Sequence, residues 1–273
     1  MKIGMFTSGY QRNPIEDIFK DAKRFGYDFI ELWGARPHAY PFDFKNGGID
    51  EIKRLIHHYE IPVLGFTPEM NAYPYNMMLG TEEMRKDSVE YVKLSMDMAK
   101  EMGADFTLIS AAHAGYQATT QEIWDRLLKC MREITDYAEK IQHKVILEAL
   151  TPYESNVITT ANDLAEVFRE ISSPYLVGMC DVVPPYVQYE SIMGYFDKLG
   201  DKMYHIHLVD SDGSSDTHIM PGEGQMPLKE LIEELKEIEY DKTLTIELVT
   251  AYINEPRFYA KRAIDNLKLY LED

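Results

Sequence analysis

The chain reads as an α/β protein, a single-domain (β/α)8 TIM barrel over residues 1–273. Three observations predict this. Eight short apolar runs, rich in β-branched residues, alternate with amphipathic stretches of helical period. No Gly-x-Gly-x-x-Gly follows the first run, which leaves a dinucleotide-binding open sheet without support. The long connections follow the third, fourth and seventh runs, at strand C-termini, where such barrels build their sites.

The runs come in order. KIGMFTS starts at Lys2 and FIELWG at Phe29, with Gly26 closing the helix between them. PVLGFT starts at Pro62 and is followed by the long connection TPEMNAYPYNMMLG, then by a helix from Glu82 to Met102 closed by Gly103. FTLISAA starts at Phe106, and HAGYQATT leads from it to a helix from Thr120 to Ile141. Both helices show apolar residues recurring at three and four. KVILEAL starts at Lys144, and Asn162 and Asp163 mark the start of the helix after it. YLVGMCDV starts at Tyr175, MYHIHLVD at Met203 and LTIELVT at Leu244, and Pro256 opens the last helix. Runs buried on both faces of a parallel sheet are near-continuously apolar, so a polar residue at their ends needs a reason.

Composition narrows the function. A formal charge of −18, from 28 basic and 46 acidic residues, argues against nucleic acid or an anionic membrane as partner, because both require a basic footprint. A substrate bearing an ammonium group is compatible with it. Cys130 and Cys180 stand far apart without metal or disulfide spacing, no apolar targeting segment precedes the first run, and no run is long enough to span a bilayer. A soluble, cytoplasmic protein is expected.

Glu148, Asp181, His207 and Glu247 each stand at the polar end of a run, separated by 33, 26 and 40 residues, about one strand plus helix each time. An isolated acid at a strand end is commonly a cap or loop acceptor. Three acids and an imidazole at equivalent ends bring buried carboxylates together, and these repel one another unless a cation neutralises them. The set suits a hard or borderline divalent ion, with Mn2+ favoured and Co2+, Ni2+, Mg2+ or Zn2+ also accepted. On strands 5 and 8, Glu148 and Glu247 face each other across that ion. One could remove a proton beside a ketone and the other return it to the opposite face, giving epimerisation; a shuttle on a single face would instead interconvert aldose and ketose.

The segments LEALTPYESN, HIHLVDSDG, PGEG and TIELVT resemble the xylose-isomerase-like barrel superfamily of sugar isomerases and epimerases, within it the ketose 3-epimerases, and the likeness runs through ELWGARPHA, ISAAHAGY and ELVTAYINEPR to cover the whole chain. The resemblance implies Glu148, Asp181, His207 and Glu247 as metal ligands, with Glu148 and Glu247 exchanging the proton at C3. It also implies that Glu154 contacts substrate hydroxyls, and that the protein acts on a sugar-amine substrate or a free ketohexose as a homo-oligomer. Two departures are visible: Pro184 stands where relatives carry His, and no Arg lies between His207 and Arg257. His113, Asp210 and His218 are further candidates for the substrate pocket, and Trp33 for stacking on the sugar's apolar edge. Glu31 and Phe6 end the second and first runs. Tyr73, Tyr75 and Tyr116 lie on loops suited to a lid or subunit contact, while His57 and His58 read as surface residues. DNA cleavage by a barrel of this kind would need more His ligands and a basic groove. A silent sugar-binding barrel would keep the ligands and lack turnover.

Overall fold

A computed structural model describes residues 1–71 and 73–272, so Ala72, inside the long third connection, and Asp273 lie outside the description. The strands are β1 (Lys2–Phe6), β2 (Phe29–Gly34), β3 (Val63–Pro68), β4 (Phe106–Ser110), β5 (Lys144–Glu148), β6 (Leu176–Asp181), β7 (Met203–Leu208) and β8 (Thr243–Ile246). All neighbours pair in parallel, and β8 returns to β1, closing the barrel. The helices that follow each strand are α1 (Ile15–Phe25), α2 (Ile49–Tyr59), α3 (Glu82–Met102), α4 (Thr120–Ile141), α5 (Ala161–Glu170), α6 (Met193–Leu199), α7 (Leu228–Glu237) and α8 (Pro256–Glu272).

The long helices keep the bounds read from their periodicity, and Gly26 and Gly103 close α1 and α3 in left-handed conformation. One helix start is corrected. Thr160, not Asn162 or Asp163, caps α5: its hydroxyl accepts from the Asp163 amide, and Asp163 reaches back to the Thr160 amide. His57 and His58 are exposed, in the last turn of α2. Among the described residues no helix is long and apolar enough to cross a membrane.

Alternation along each strand separates two apolar regions. Val145 and Leu147, Leu176 and Cys180, Ile206 and Leu208, and Leu244 and Ile246 point outward into the layer between sheet and helices. The residues between them point into the barrel, where Phe106, Leu108, Ile146, Val177 and Met179 fill the lower part. Continuing the same alternation upward brings Glu148 and Asp181 to the inner face above that floor. The register pairs Asp181 with His207 and His207 with Thr245, so these residues share one level.

Candidate metal centre and sugar pocket

Glu148 and Asp181 are the last residues of β5 and β6, His207 is next to last in β7, and Glu247 follows β8 directly. The barrel therefore converges all four at its C-terminal mouth. His207 Nδ1 lies 3.5 Å from Glu148 Oε1 and 3.0 Å from Glu247 Oε2. Neither contact has hydrogen-bond geometry, and Nδ1 is buried without a partner. On the other side of the ring, Nε2–H donates to Glu31 Oε1 at 2.9 Å. An imidazole whose proton is committed to Nε2 turns a lone pair toward carboxylate oxygens. That arrangement is repulsive until a cation lies between, so the donor set fits a divalent ion.

Glu31 is the residue that the reading of strand ends placed poorly. It lies within β2, fully buried, and accepts from His205 Nε2 at 2.9 Å and Thr67 Oγ1 at 2.7 Å as well as from His207. Burial alone would raise its pKa, but His207 and His205 hold it well below the usual carboxylate range. Glu31, His205 and His207 also lie close enough to suggest a second metal group. Their 2.9 Å contacts are ordinary N–H···O bonds, and His205 Nδ1 is separately engaged by Thr243 Oγ1 at 2.8 Å, so the trio is a hydrogen-bonded support. Gly65 makes room for it: a Cβ there would stand 2.6 Å from the Phe106 ring and 2.8 Å from Glu31 Cγ. Alternation in FIELWG is the signal that could have found Glu31, since it faces inward between the outward Ile30 and Leu32.

His218, from the connection after β7, places Nε2 3.3 Å from Asp181 Oδ2 and 3.1 Å from Glu247 Oε2. It belongs with the carboxylate cluster itself. The two glutamates are driven apart electrostatically. Burial pushes Glu148 up to about 7 against the pull of His207. Burial also opposes ionisation of Glu247, yet His207 and His218 hold it at about 2. With no ion between them, burial disfavours charge on both imidazoles, but Glu31 and Glu247 beside His207, and Glu247 and Asp181 beside His218, hold their pKa values well above the ordinary one; an ion at His207 Nδ1 would take the place of the proton there.

These groups open into a cavity of about 500 Å3 walled by Phe6, Trp33, Met70, Leu108, Leu150 and Val249. Trp33 is held by its Nε1–H, which donates to Glu69 Oε2 at 2.9 Å. Glu154 lines this cavity and also a side lobe of about 310 Å3 that includes Tyr73, Asn76, Ala112 and His113. His113 thus sits in the lobe, where its Nδ1 accepts from the Gly115 amide at 2.9 Å, leaving Nε2 to donate. Burial, then Asp216, pushes Glu154 up to about 8, and Asp216 is raised in turn by burial. Asp216 was not singled out from the sequence, because a structureless connection has no period to mark the inward residue.

Asp210 does not face the sugar cavity, which corrects the expectation placed on it. Its Oδ1 accepts from the Ser211 and Met226 amides at 2.9 Å each, and Oδ2 from Gly222 at 3.0 Å. It pins the two ends of the connection that presents Asp216 and His218. Tyr73 and Tyr75 pack inward as well as outward. The Tyr73 hydroxyl accepts from the Arg36 amide at 2.9 Å, and Tyr75 stacks on Tyr91 at 3.9 Å. Tyr116 is 90% exposed.

Known proteins share this architecture. Residues 19–270 match the family described as xylose isomerase-like TIM barrel. The chain is 55% identical to fructoselysine 3-epimerase of Escherichia coli O157:H7 over 273 residues, covering 100% of this chain and 99% of that one. Among solved structures, 3-keto-D-glucoside 4-epimerase from E. coli superposes with a TM-score of 0.83 at 19% identity, over 98% of this chain and 99% of the other. The IolI protein with a bound zinc atom does so with a TM-score of 0.80 at 18% identity, over 99% and 96%.

Proposed function

Because the chain belongs to the xylose isomerase-like TIM-barrel family, we propose that it inverts C3 of fructoselysine to give psicoselysine, a metal-dependent 3-epimerisation through a cis-enediolate. The observation that supports the reading is that Glu148 Oε1 and Glu247 Oε2 lie 3.5 and 3.0 Å from one imidazole nitrogen that has no hydrogen-bond partner. Glu148, Asp181, His207 Nδ1 and Glu247 would hold the ion, Mn2+ first among the candidates. When bound, a divalent ion polarises the ketone and stabilises negative charge on the sugar oxygens as C3 loses its proton.

The residues supply the rest. Glu247, in contact with His218 Nε2 at 3.1 Å, takes the C3 proton from one face. Glu148 returns a proton to the other face. The reverse reaction exchanges the two roles. Glu31 keeps His207 in the tautomer that leaves Nδ1 free. Glu154 holds substrate hydroxyls, Trp33 lies against the sugar's apolar edge, and His113 offers a donor further along the lobe. A homo-oligomer is part of the proposal, and sedimentation velocity tests it.

The test is incubation of the Mn2+-loaded protein with fructoselysine in D2O, with psicose as the tail-free comparison. Deuterium accumulating at C3 of both epimers is expected, and none at C3 of either sugar would sink the assignment. Glu247→Gln should abolish exchange while circular dichroism stays native; surviving exchange would remove the two-carboxylate mechanism.

A further inference from the structure

The charge of the cavity is not balanced by the metal centre alone. No Lys or Arg is among the described residues lining either the main cavity or the side lobe. A divalent ion offsets most of the charge on Glu148, Asp181 and Glu247, and His218 is already engaged with two of them. Glu69 has Trp33. Glu154 and Asp216 remain.

Both line the main cavity beside His218. Asp216 Oδ1 is shut off from solvent, and no protein donor reaches it. The approach is built in, because the Tyr153 hydroxyl donates to the Ser214 carbonyl at 3.2 Å and ties the connection bearing Glu154 to the one bearing Asp216. A second tie, from Ser155 Oγ to the Ala112 carbonyl at 2.6 Å, fixes Glu154 against the side lobe. Two half-buried acids on the wall of one cavity are costly unless a cation or a shared proton lies between them.

Their position says which end of a ketose they face. The reacting carbons belong between Glu148 and Glu247, and beyond Glu154 the lobe adds room that a bare hexose does not need. In an amine-borne ketose, only the C1 end both carries a positive charge and extends past the length of the sugar. Resting on the epimerase reading above, we propose that Asp216, together with Glu154, recognises a protonated nitrogen attached to C1, at the mouth of the lobe that receives what the nitrogen carries. A desolvated ammonium between two carboxylates makes charge-assisted bonds that a hydroxyl or ether at C1 cannot match.

The experiment compares fructoselysine with its oxygen-linked counterpart, an ether at C1, on the Mn2+-loaded protein by calorimetry. The natural chain should bind the amine at least about tenfold more tightly, and Asp216→Asn should bring the two sugars to within about threefold. Glu154→Gln, as a second variant, should narrow the preference in the same direction. Equal affinities in the natural chain, or a preference that survives Asp216→Asn, would overturn the proposal. Deuterium at C3, followed in the same samples, separates the two readings. Absence of exchange with both sugars counts against the epimerase, whereas exchange with an undiminished preference in Asp216→Asn counts only against the nitrogen site.

Discussion

Replacing Glu31 by Leu removes an acceptor at the centre of the barrel without opening a large void. In the native site this carboxylate receives imidazole N–H groups from His205 and His207, each at 2.9 Å. With Leu, both lose their acceptor where water does not reach, and His207 is free to carry its proton on Nδ1, which removes the lone pair from the ion. A hydrogen bond to a charged group is worth about 1.5–3 kcal/mol. Losing the one that selects the tautomer should therefore weaken Mn2+ binding by roughly 10- to 150-fold. Glu31→Gln gives an internal calibration. Its amide oxygen can still accept from His207, while His205 turns its tautomer and donates from Nδ1 to Thr243 Oγ1, 2.8 Å away. Its loss should be smaller than that of Leu. The assay is calorimetric titration of Mn2+ into metal-stripped protein, with circular dichroism confirming the barrel. If the folded Leu variant binds within threefold of the natural chain, or Gln is worse than Leu, the tautomer argument is refuted.

Other perturbations give separate readings. Stripping the ion with a chelator leaves Glu148, Asp181 and Glu247 to repel one another, so restoring Mn2+ at about 100 times its Kd should add about 2.7 kcal/mol; in a chain of this size that is a rise in Tm of roughly 5–10 °C, and an unchanged Tm would show that the folded chain does not bind the ion in preference to the unfolded one. His143 is buried against Thr107, and burial lowers its pKa from 6.5 to about 4. Its folded pKa is depressed, so the unfolded chain takes the proton first, and stability falls as pH drops from 6.5 toward 4, by roughly 1.4 kcal/mol at pH 5.5. Urea titrations at pH 7.5 and 5.5 should show this extra loss in the natural chain and not in His143→Gln. Gly224→Ala would set a Cβ 2.2 Å from Asp210 Oδ1 and displace the connection that presents Asp216 and His218. We expect kcat/KM on fructoselysine to fall at least tenfold with the far-ultraviolet spectrum unchanged, and an unaltered kcat/KM would show that Asp210 is not what positions those residues.

Much of this molecule could be read before its coordinates, for identifiable reasons. A carboxylate at the end of an apolar run has no role in a parallel sheet except at its mouth, so Glu148 and Asp181 were legible from local sequence. The helices Glu82–Met102 and Thr120–Ile141 were legible because their period is long enough to count. Glu31 was misplaced because the strand was read from its ends, although its neighbours Ile30 and Leu32 pack outward. Asp210 and Asp216 could not be sorted at all. Both lie in one connection, and which of them lines the cavity depends on the backbone amides of Ser211, Gly222 and Met226, which no side-chain pattern records. Thr160 lost to Asn162 and Asp163 for a simpler reason, since every one of these types can start a helix.

The proposed ion ligands all come from the second half of the ring, β5 to β8, while Phe6, Trp33, Met70 and Leu108 of the first half only wall the cavity. The proposed ligands and the acids proposed to read the substrate's nitrogen thus share one arc of the closed sheet, and the other arc supplies apolar wall. Loops on the first arc can lengthen, shrink or change character without moving a proposed ligand. A barrel divided this way can reshape the apolar side of its mouth while the proposed ligands stay where they are.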